Sequence, residues 1–258
     1  MAVVRISSWT RSVHAESDPA TLYSFIRANP LGLLITGIRS SSQQFLQCTH
    51  VPFVLDIPDS TDGVLRAHIA KQNPQVKAII EHLAERPDIL NPEDEVLVVF
   101  TAKEHHYVTP KFYVETKPDT GKVVPTWNYA AVQVYGKLTL HYDSKSTQTG
   151  AFLAKQIRDL SEHAESSIMG YTGGERPQPW VVEDAPEKYI EIMQRNIVGI
   201  EIRIEQIQGK FKMSQEMRPG DRDGVAAGFS RLPGEDGQAM AALVRERGAL
   251  HDAKKQNV

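Results

Sequence analysis

Two long alternating stretches limit what this chain can fold into. Over 130–142, Val132, Val134, Leu138 and Leu140 alternate with Gln133, Tyr135, Lys137 and Thr139. Over 197–208, Ile200, Ile202 and Ile204 alternate with Glu201, Arg203 and Glu205. A period of two residues belongs to a strand with one face in a core and the other near water. Shorter strand-like runs lie at 31–38, 45–55, 64–70, 95–101 and 105–109, and 210–215 extends the second long run past Gly209. Most are joined by short turns, which favours an antiparallel barrel over a parallel sheet.

Helices fit around those strands. Asp18-Pro19 and Asn73-Pro74 each read as an N-cap followed by proline at the first helical position. The first helix stops at Asn29-Pro30, and the second runs to about Leu83. An apolar stripe at Phe152, Leu153, Ile157 and Leu160 predicts a helix over 148–163, and Asp184-Ala-Pro186 opens another ending near Arg195. Residues 164–180 read as loop; the chain from 218 reads as helical, with a disordered tail from about 250. The domains expected are a barrel core at 1–145, a helical insertion at 146–195, strands completing the barrel at 196–217, and C-terminal helices with a flexible tail at 218–258.

Composition removes several function classes. A net charge of −3 gives no global electrostatic case for nucleic acid. Cys48 stands alone, so no internal disulfide forms, and a reducing compartment suits the chain. No apolar run approaches the roughly 20 residues that span a bilayer, and residues 1–20 lack the apolar centre of a secretory signal. A cytoplasmic location is the expectation.

Four clusters carry polar chemistry. Pro125-Thr-Trp-Asn-Tyr129 precedes a strand with two flat rings and three hydrogen-bonding groups, which suits a planar, polar-edged small molecule. A barrel-end plug is an equal reading. His68-Ile-Ala-Lys-Gln-Asn-Pro-Gln75 runs from a strand into a capped helix with Lys71 and Lys77 nearby, a natural anion site and otherwise a capped helix with solvated lysines. Thr49 and His50 lie on the preceding strand; a hairpin would set them beside Arg66 and His68, with metal a minority alternative. Lys210, Lys212 and Ser214 share one face of an extended run and suit a phosphate, or protect a strand edge. His105 and His106 add a haem-ligand alternative, although neighbours on a strand face opposite ways. No Ser-His-Asp order, paired-carboxylate or CxxC signature stands out.

Six colinear segments resemble the PaiB family of FMN-binding proteins, also labelled negative transcriptional regulators. They are Asn29-Pro-Leu-Gly-Leu-Leu-Ile-Thr36, Thr49-His-Val-Pro52, His68 to Gln75, Val124-Pro-Thr-Trp-Asn-Tyr129, Ile197-Val-Gly-Ile-Glu-Ile202 and Lys210-Phe-Lys-Met-Ser-Gln215. Four features depart from the family pattern: the start Val3 to Trp9, Lys71 in place of arginine, Glu216 in place of asparagine, and a longer loop at 86–94. The Arg-to-Lys exchange removes a bidentate phosphate contact.

The resemblance implies an α+β, mainly antiparallel fold: an FMN-binding split β-barrel with peripheral helices and a C-terminal helical extension, similar to pyridoxamine-phosphate oxidase. It implies a homodimer with FMN at the subunit interface. Thr49, His50 and Val51 would border the isoalloxazine, with His68, Ile69 and Ala70 on its other edge. Lys71, Asn73 and Gln75 would approach the phosphate, Trp127 and Asn128 would close the pocket, and Lys210 and Lys212 would add charge. The function implied is flavin redox chemistry or sensing, with NADH or NADPH as candidate electron donors. The alternatives are an indirect transcriptional regulator and a haem-binding relative of the same fold.

Overall fold

The computed structural model describes residues 5–6, 11–57, 63–85 and 95–256. The expected length difference at 86–94 and most of the segment from Val3 to Trp9 lie outside the described residues. The strands are β1 (Arg5–Ile6), β2 (Ala15–Glu16), β3 (Leu31–Gly37), β4 (Leu46–Pro52), β5 (Val54–Asp56), β6 (Val64–Ala70), β7 (Glu95–Thr101), β8 (His106–Val108), β9 (Thr126–His141) and β10 (Ile197–Lys212). The helices are α1 (Pro19–Ala28), α2 (Pro74–Glu85), α3 (Thr116–Thr120), α4 (Thr147–His163), α5 (Glu187–Arg195), α6 (Pro219–Ser230) and α7 (Glu235–Gln256). The chain divides into two compact units: residues 1–5, 26–100 and 133–207 form the first, and residues 6–25, 101–132 and 208–258 the second.

The sheet runs β4-β3-β7-β9-β10-β6-β5. The β3–β4, β3–β7, β5–β6 and β6–β10 ladders are all antiparallel. β4 and β6, from opposite ends of that order, pack against each other without forming a ladder among the described residues. The barrel is therefore split rather than closed.

In the first unit, Leu34, Leu65, Val98, Val134, Ile200 and Ile202 are wholly removed from solvent, each contributing about 1.5–3 kcal/mol through burial. Gly136 keeps β9 close to β10: a Cβ there would fall 2.1 Å from the Arg203 carbonyl oxygen. No other residue type fits that approach without moving backbone.

The expected hairpin between 45–55 and 64–70 forms only in part. A break at Phe53 splits the first run: β5 pairs with β6, Val54 opposite Arg66, whereas β4 pairs with β3, His50 opposite Leu33. Thr49 and His50 therefore do not neighbour Arg66 and His68 on a ladder; they approach through packing.

Arg66 instead joins β5, β6 and α4. Its Nε and Nη2 donate to Asp56 Oδ2 and Oδ1 at 2.6 and 3.0 Å, its Nη1 to Gln156 Oε1 at 3.0 Å, and its Nη2 also to Asp159. Few positions on a half-buried strand face can hold a guanidinium; this one is buried with acceptors on three sides.

In the second unit, Phe25 meets Phe211 edge-on at 5.3 Å, and Phe112 meets Phe229 at 5.5 Å. α7 packs along α6 and continues past position 250, where the sequence suggests disorder. The reason is a bidentate ion pair: Arg222 Nη1 and Nη2 donate to Asp252 Oδ1 and Oδ2 at 2.9 and 2.5 Å. Arg247 adds a second tie, bonding Glu16 Oε2 while its guanidinium lies 3.9 Å from the centre of the Phe211 ring.

Replacing Arg66 with leucine should leave Asp56 and Asp159 without their shared cation. We expect a loss of about 2–3 kcal/mol, read as a lower urea midpoint at unchanged slope. A loss below about 1 kcal/mol would show that the network is not holding the hairpin to α4.

Candidate functional site

The sites are built from what each strand leaves over after filling the core. On β4, Val51 is 1% exposed and belongs to the core, while His50 and Cys48 face outward and Thr49 is half-buried. On β6, Ala67 and Ile69 are buried, His68 is half-buried and Ala70 is exposed. Val51 and Ile69 thus serve the core with their side chains.

The start of α2 is occupied by its own cap. Asn73 Oδ1 accepts from the Gln75 backbone N–H at 2.8 Å, while Asn73 Nδ2 donates to Thr49 Oγ1 at 3.2 Å. Gln75 is buried, its Nε2 donating to Thr36 Oγ1 at 2.9 Å and to the Leu34 carbonyl at 3.3 Å. These bonds lock α2 to β3 and β4. Lys71 keeps a half-exposed side chain, and its backbone N–H donates to the Asn196 carbonyl at 2.9 Å.

His68 is different. It sits opposite Gly199 on β10, and its Nδ1 is buried with no hydrogen-bond partner among the described residues. Burial holds its imidazole below the ordinary value of 6.5, so the fold favours the neutral ring. A buried, unpaired ring nitrogen costs stability unless something supplies its partner. In the first unit, Thr49, His50, His68 and Lys71 remain as the predicted residues with chemistry still to offer.

In the second unit, β9 begins at Thr126, so the Thr126–Tyr129 cluster is the strand itself rather than its approach. Trp127 is 53% exposed, with its ring 6.0 Å from His105 and 6.3 Å from Tyr107. Asn128 is fully buried and exchanges two hydrogen bonds with the Ser214 hydroxyl, at 3.0 and 3.1 Å. Those bonds hold Ser214 in a left-handed backbone conformation, φ 62°. Adjacent strand residues project to opposite faces, so Trp127 lies toward solvent where Asn128 is enclosed.

Lys210 Nζ lies 5.1 Å from the centre of the Tyr129 ring, and Lys212 Nζ donates to Thr126 Oγ1 at 2.5 Å and the Trp127 carbonyl at 2.8 Å. Both lysines line a cavity of about 570 Å³ in which His14 and Glu216 also take part. His106 packs on Phe229 and its Nδ1 bonds the Tyr107 carbonyl, so the fold uses it. Among the described residues no three His, Cys, Asp or Glu side chains cluster as metal ligands.

Sequence reading passed over Arg11 and His14, which share the lysine cavity, and the clamp on Glu81. There Ser40 Oγ and Ser41 Oγ donate to the two carboxylate oxygens at 2.6 and 2.5 Å, holding that carboxyl at about 2. The serine run at 40–42 was the only local sign of that clamp.

The folded His68 imidazole is depressed, so its contribution to stability is complete above about pH 6.5 and is lost as the pH falls below that value. The urea midpoint of the protein should therefore fall on acidification through this range, and less steeply in His68→Gln. Equal slopes in the two proteins would contradict a neutral buried ring.

Comparison with known proteins follows the same lines. Residues 9–206 match the family described as "Putative FMN-binding domain". An uncharacterized protein of Aspergillus fumigatus is 57% identical over 260 residues, covering 95% of this chain and 100% of its own. The Bacillus subtilis protease synthase and sporulation protein PAI 2 is 24% identical over 226 residues, 88% of this chain and 91% of that one. Among solved structures, the flavocytochrome Anf3 of Azotobacter vinelandii aligns at 13% identity with a TM-score of 0.44, over 77% of this chain and 69% of the other. As its six PaiB-like segments led us to expect, the chain belongs to the FMN-binding-domain family.

Proposed function

We propose that this protein binds FMN as a homodimer and uses the flavin for redox chemistry or redox sensing, with NADH or NADPH as electron donor. The observation that carries this reading is His68 Nδ1: a buried ring nitrogen without a partner, within the family-matched segment and three residues from Lys71. The polar rim of an isoalloxazine offers both donors and acceptors, so it can satisfy that nitrogen. Thr49 and His50, on the strand packed against β6, would meet the same ring from the other side. Lys71 would supply a cation to the phosphate, as a point charge rather than a bidentate clamp.

Electron transfer would belong to the flavin itself; the chain would bind, orient and tune it. That division of labour agrees with a sequence in which no nucleophile or acid–base pair stands out. Asn73 and Gln75 would act indirectly, by fixing the strands and helix around the ring.

The proposed partner is a second copy. Leu31, Leu33 and Ile35 of β3 lie on one sheet face with Leu97 and Val99 of β7, all exposed or half-buried. An apolar patch of this kind on a sheet is more often an interface than a solvated surface. Direct DNA binding is not part of this reading, because a net charge of −3 offers no excess of cations for phosphates. Any effect on transcription would pass through the state of the flavin. No described helix is long and apolar enough to cross a membrane.

Purified protein should quench the fluorescence of added FMN in a saturable titration and elute as a dimer. Replacing both Lys71 and Lys77 with alanine should weaken FMN at least tenfold while the thermal midpoint stays within a few degrees. Absence of quenching by the unaltered protein would remove the flavin reading. Unchanged affinity in the double variant would remove the phosphate placement.

A further inference from the structure

We propose that a second copy of this chain covers the outward face of α5, a contact that rests on the homodimer reading and extends its interface. An amphipathic helix on a globular protein ordinarily turns its apolar stripe to the core. α5 does the reverse. Tyr189, Ile192 and Met193, spaced three and four residues apart and so on one face, are 55%, 55% and 44% exposed. The opposite stripe holds Glu187, Ile190, Glu191 and Gln194, and the last two line a cleft with Thr149, Gly150 and Leu153 of α4. The helix thus meets its own unit with its more polar side.

The segment leading into α5 adds to the bare surface. Trp180 and Val181 are exposed, although their backbone N–H groups are held by Glu165 Oε2 at 3.0 Å and Asp184 Oδ2 at 3.1 Å. These apolar side chains therefore face solvent from a hydrogen-bonded backbone.

Two observations identify the occupant. The first is continuity with the sheet face already proposed as the dimer contact. Leu34, Val98, Ala67 and Ile200 point into the core, so Leu33, Leu97, Arg66 and Glu201 take the outward face of the same sheet. α4 docks on that face at its β5–β6 end, where Gln156 and Asp159 meet Arg66, and α5 packs on α4. The β3–β7 end leaves Leu31, Leu33, Leu97 and Val99 exposed or half-buried. A second copy laid on that end would lie on the face from which α4 and α5 rise.

The second is area. A standard interface takes roughly 20–30 residues from each side, more than the apolar strip on β3 and β7 supplies. Tyr189, Met193 and Trp180 add the aromatic and methionine side chains in which interfaces are enriched. Charge agrees with a second copy. Lys188 and Arg195 border the stripe beside Ile192, and Glu191 approaches Arg195 only to 3.8 Å. The first unit as a whole carries more carboxylates than cations, so another copy offers counterparts. An anionic lipid surface fits less well, because Glu183, Asp184, Glu187 and Glu191 crowd the same short segment.

The test is sedimentation equilibrium of the full chain with and without Ile192→Glu plus Met193→Glu. The unaltered protein should be dimeric. The double variant should raise the dimer dissociation constant about tenfold or more while its far-ultraviolet circular dichroism stays unchanged. Ile192→Cys in a Cys48→Ser background supplies a single thiol for a second measurement. Its reaction with a maleimide should be slow where the protein is dimeric and quicken about tenfold on dilution to monomer. If the double variant loses its helical spectrum, the thiol measurement decides.

A dimer indifferent to the α5 variants but broken by Leu33→Glu with Leu97→Glu overturns the α5 contact and leaves the homodimer standing. Labelling equally fast in monomer and dimer does the same. Cosedimentation with phosphatidylserine vesicles that is lost in Ile192→Glu would assign the face to lipid and also overturn it. Protein that is monomeric throughout removes the homodimer reading and this contact together.

Discussion

Consecutive residues of an extended chain project to opposite faces, and most of this structure follows from how its strands use that constraint. Along β10, Ile200, Ile202 and Ile204 are withdrawn from water, while Glu201 and Arg203 take the other face. The same alternation separates Val51 from His50, Ile69 from His68, and Asn128 from Trp127. In each pair one residue builds the core and its neighbour is available for chemistry. Residues that adjoin in sequence are therefore poor candidates for one shared pocket when they lie on a strand.

Buried polar groups divide into two kinds. Arg66, Asn128 and Arg222 are enclosed and bonded to named partners, which makes them part of the scaffold. His68 Nδ1 in the first unit is enclosed with no partner among the described residues, whereas His14 Nε2 and Glu216 Oε2 in the second face each other at 3.1 Å. Unsatisfied groups are costly in a folded protein and few survive without a compensating use. Lys71 follows His68 by three residues, so a cation lies near that unpaired nitrogen in the chain.

The strands and helices were legible because their signals are local: alternation for β9 and β10, a proline after a capping residue for α1 and α2. Boundaries slipped where a local pattern continues on both sides of a break, as at Phe53, or where an aromatic cluster is itself extended, as at Thr126–Tyr129. Site residues were harder. Asn73 and Gln75 show the chemistry of an anion site, yet their bonding partners Thr49, Thr36 and Leu34 lie far away in sequence, so the fold claims them first. Arg66 with Asp159, and Arg222 with Asp252, are pairs whose sequence separation hides them. His14 carries no local signal at all; only the structure shows that it is buried beside Glu216.

The most direct test of the account is a crystal structure of the protein grown with FMN. The ring should lie against His68 and Thr49 of the first unit, with a rim atom on His68 Nδ1 and the phosphate directed to Lys71. Flavin seated instead in the second unit's lysine cavity, with His68 Nδ1 still unpaired, would contradict it.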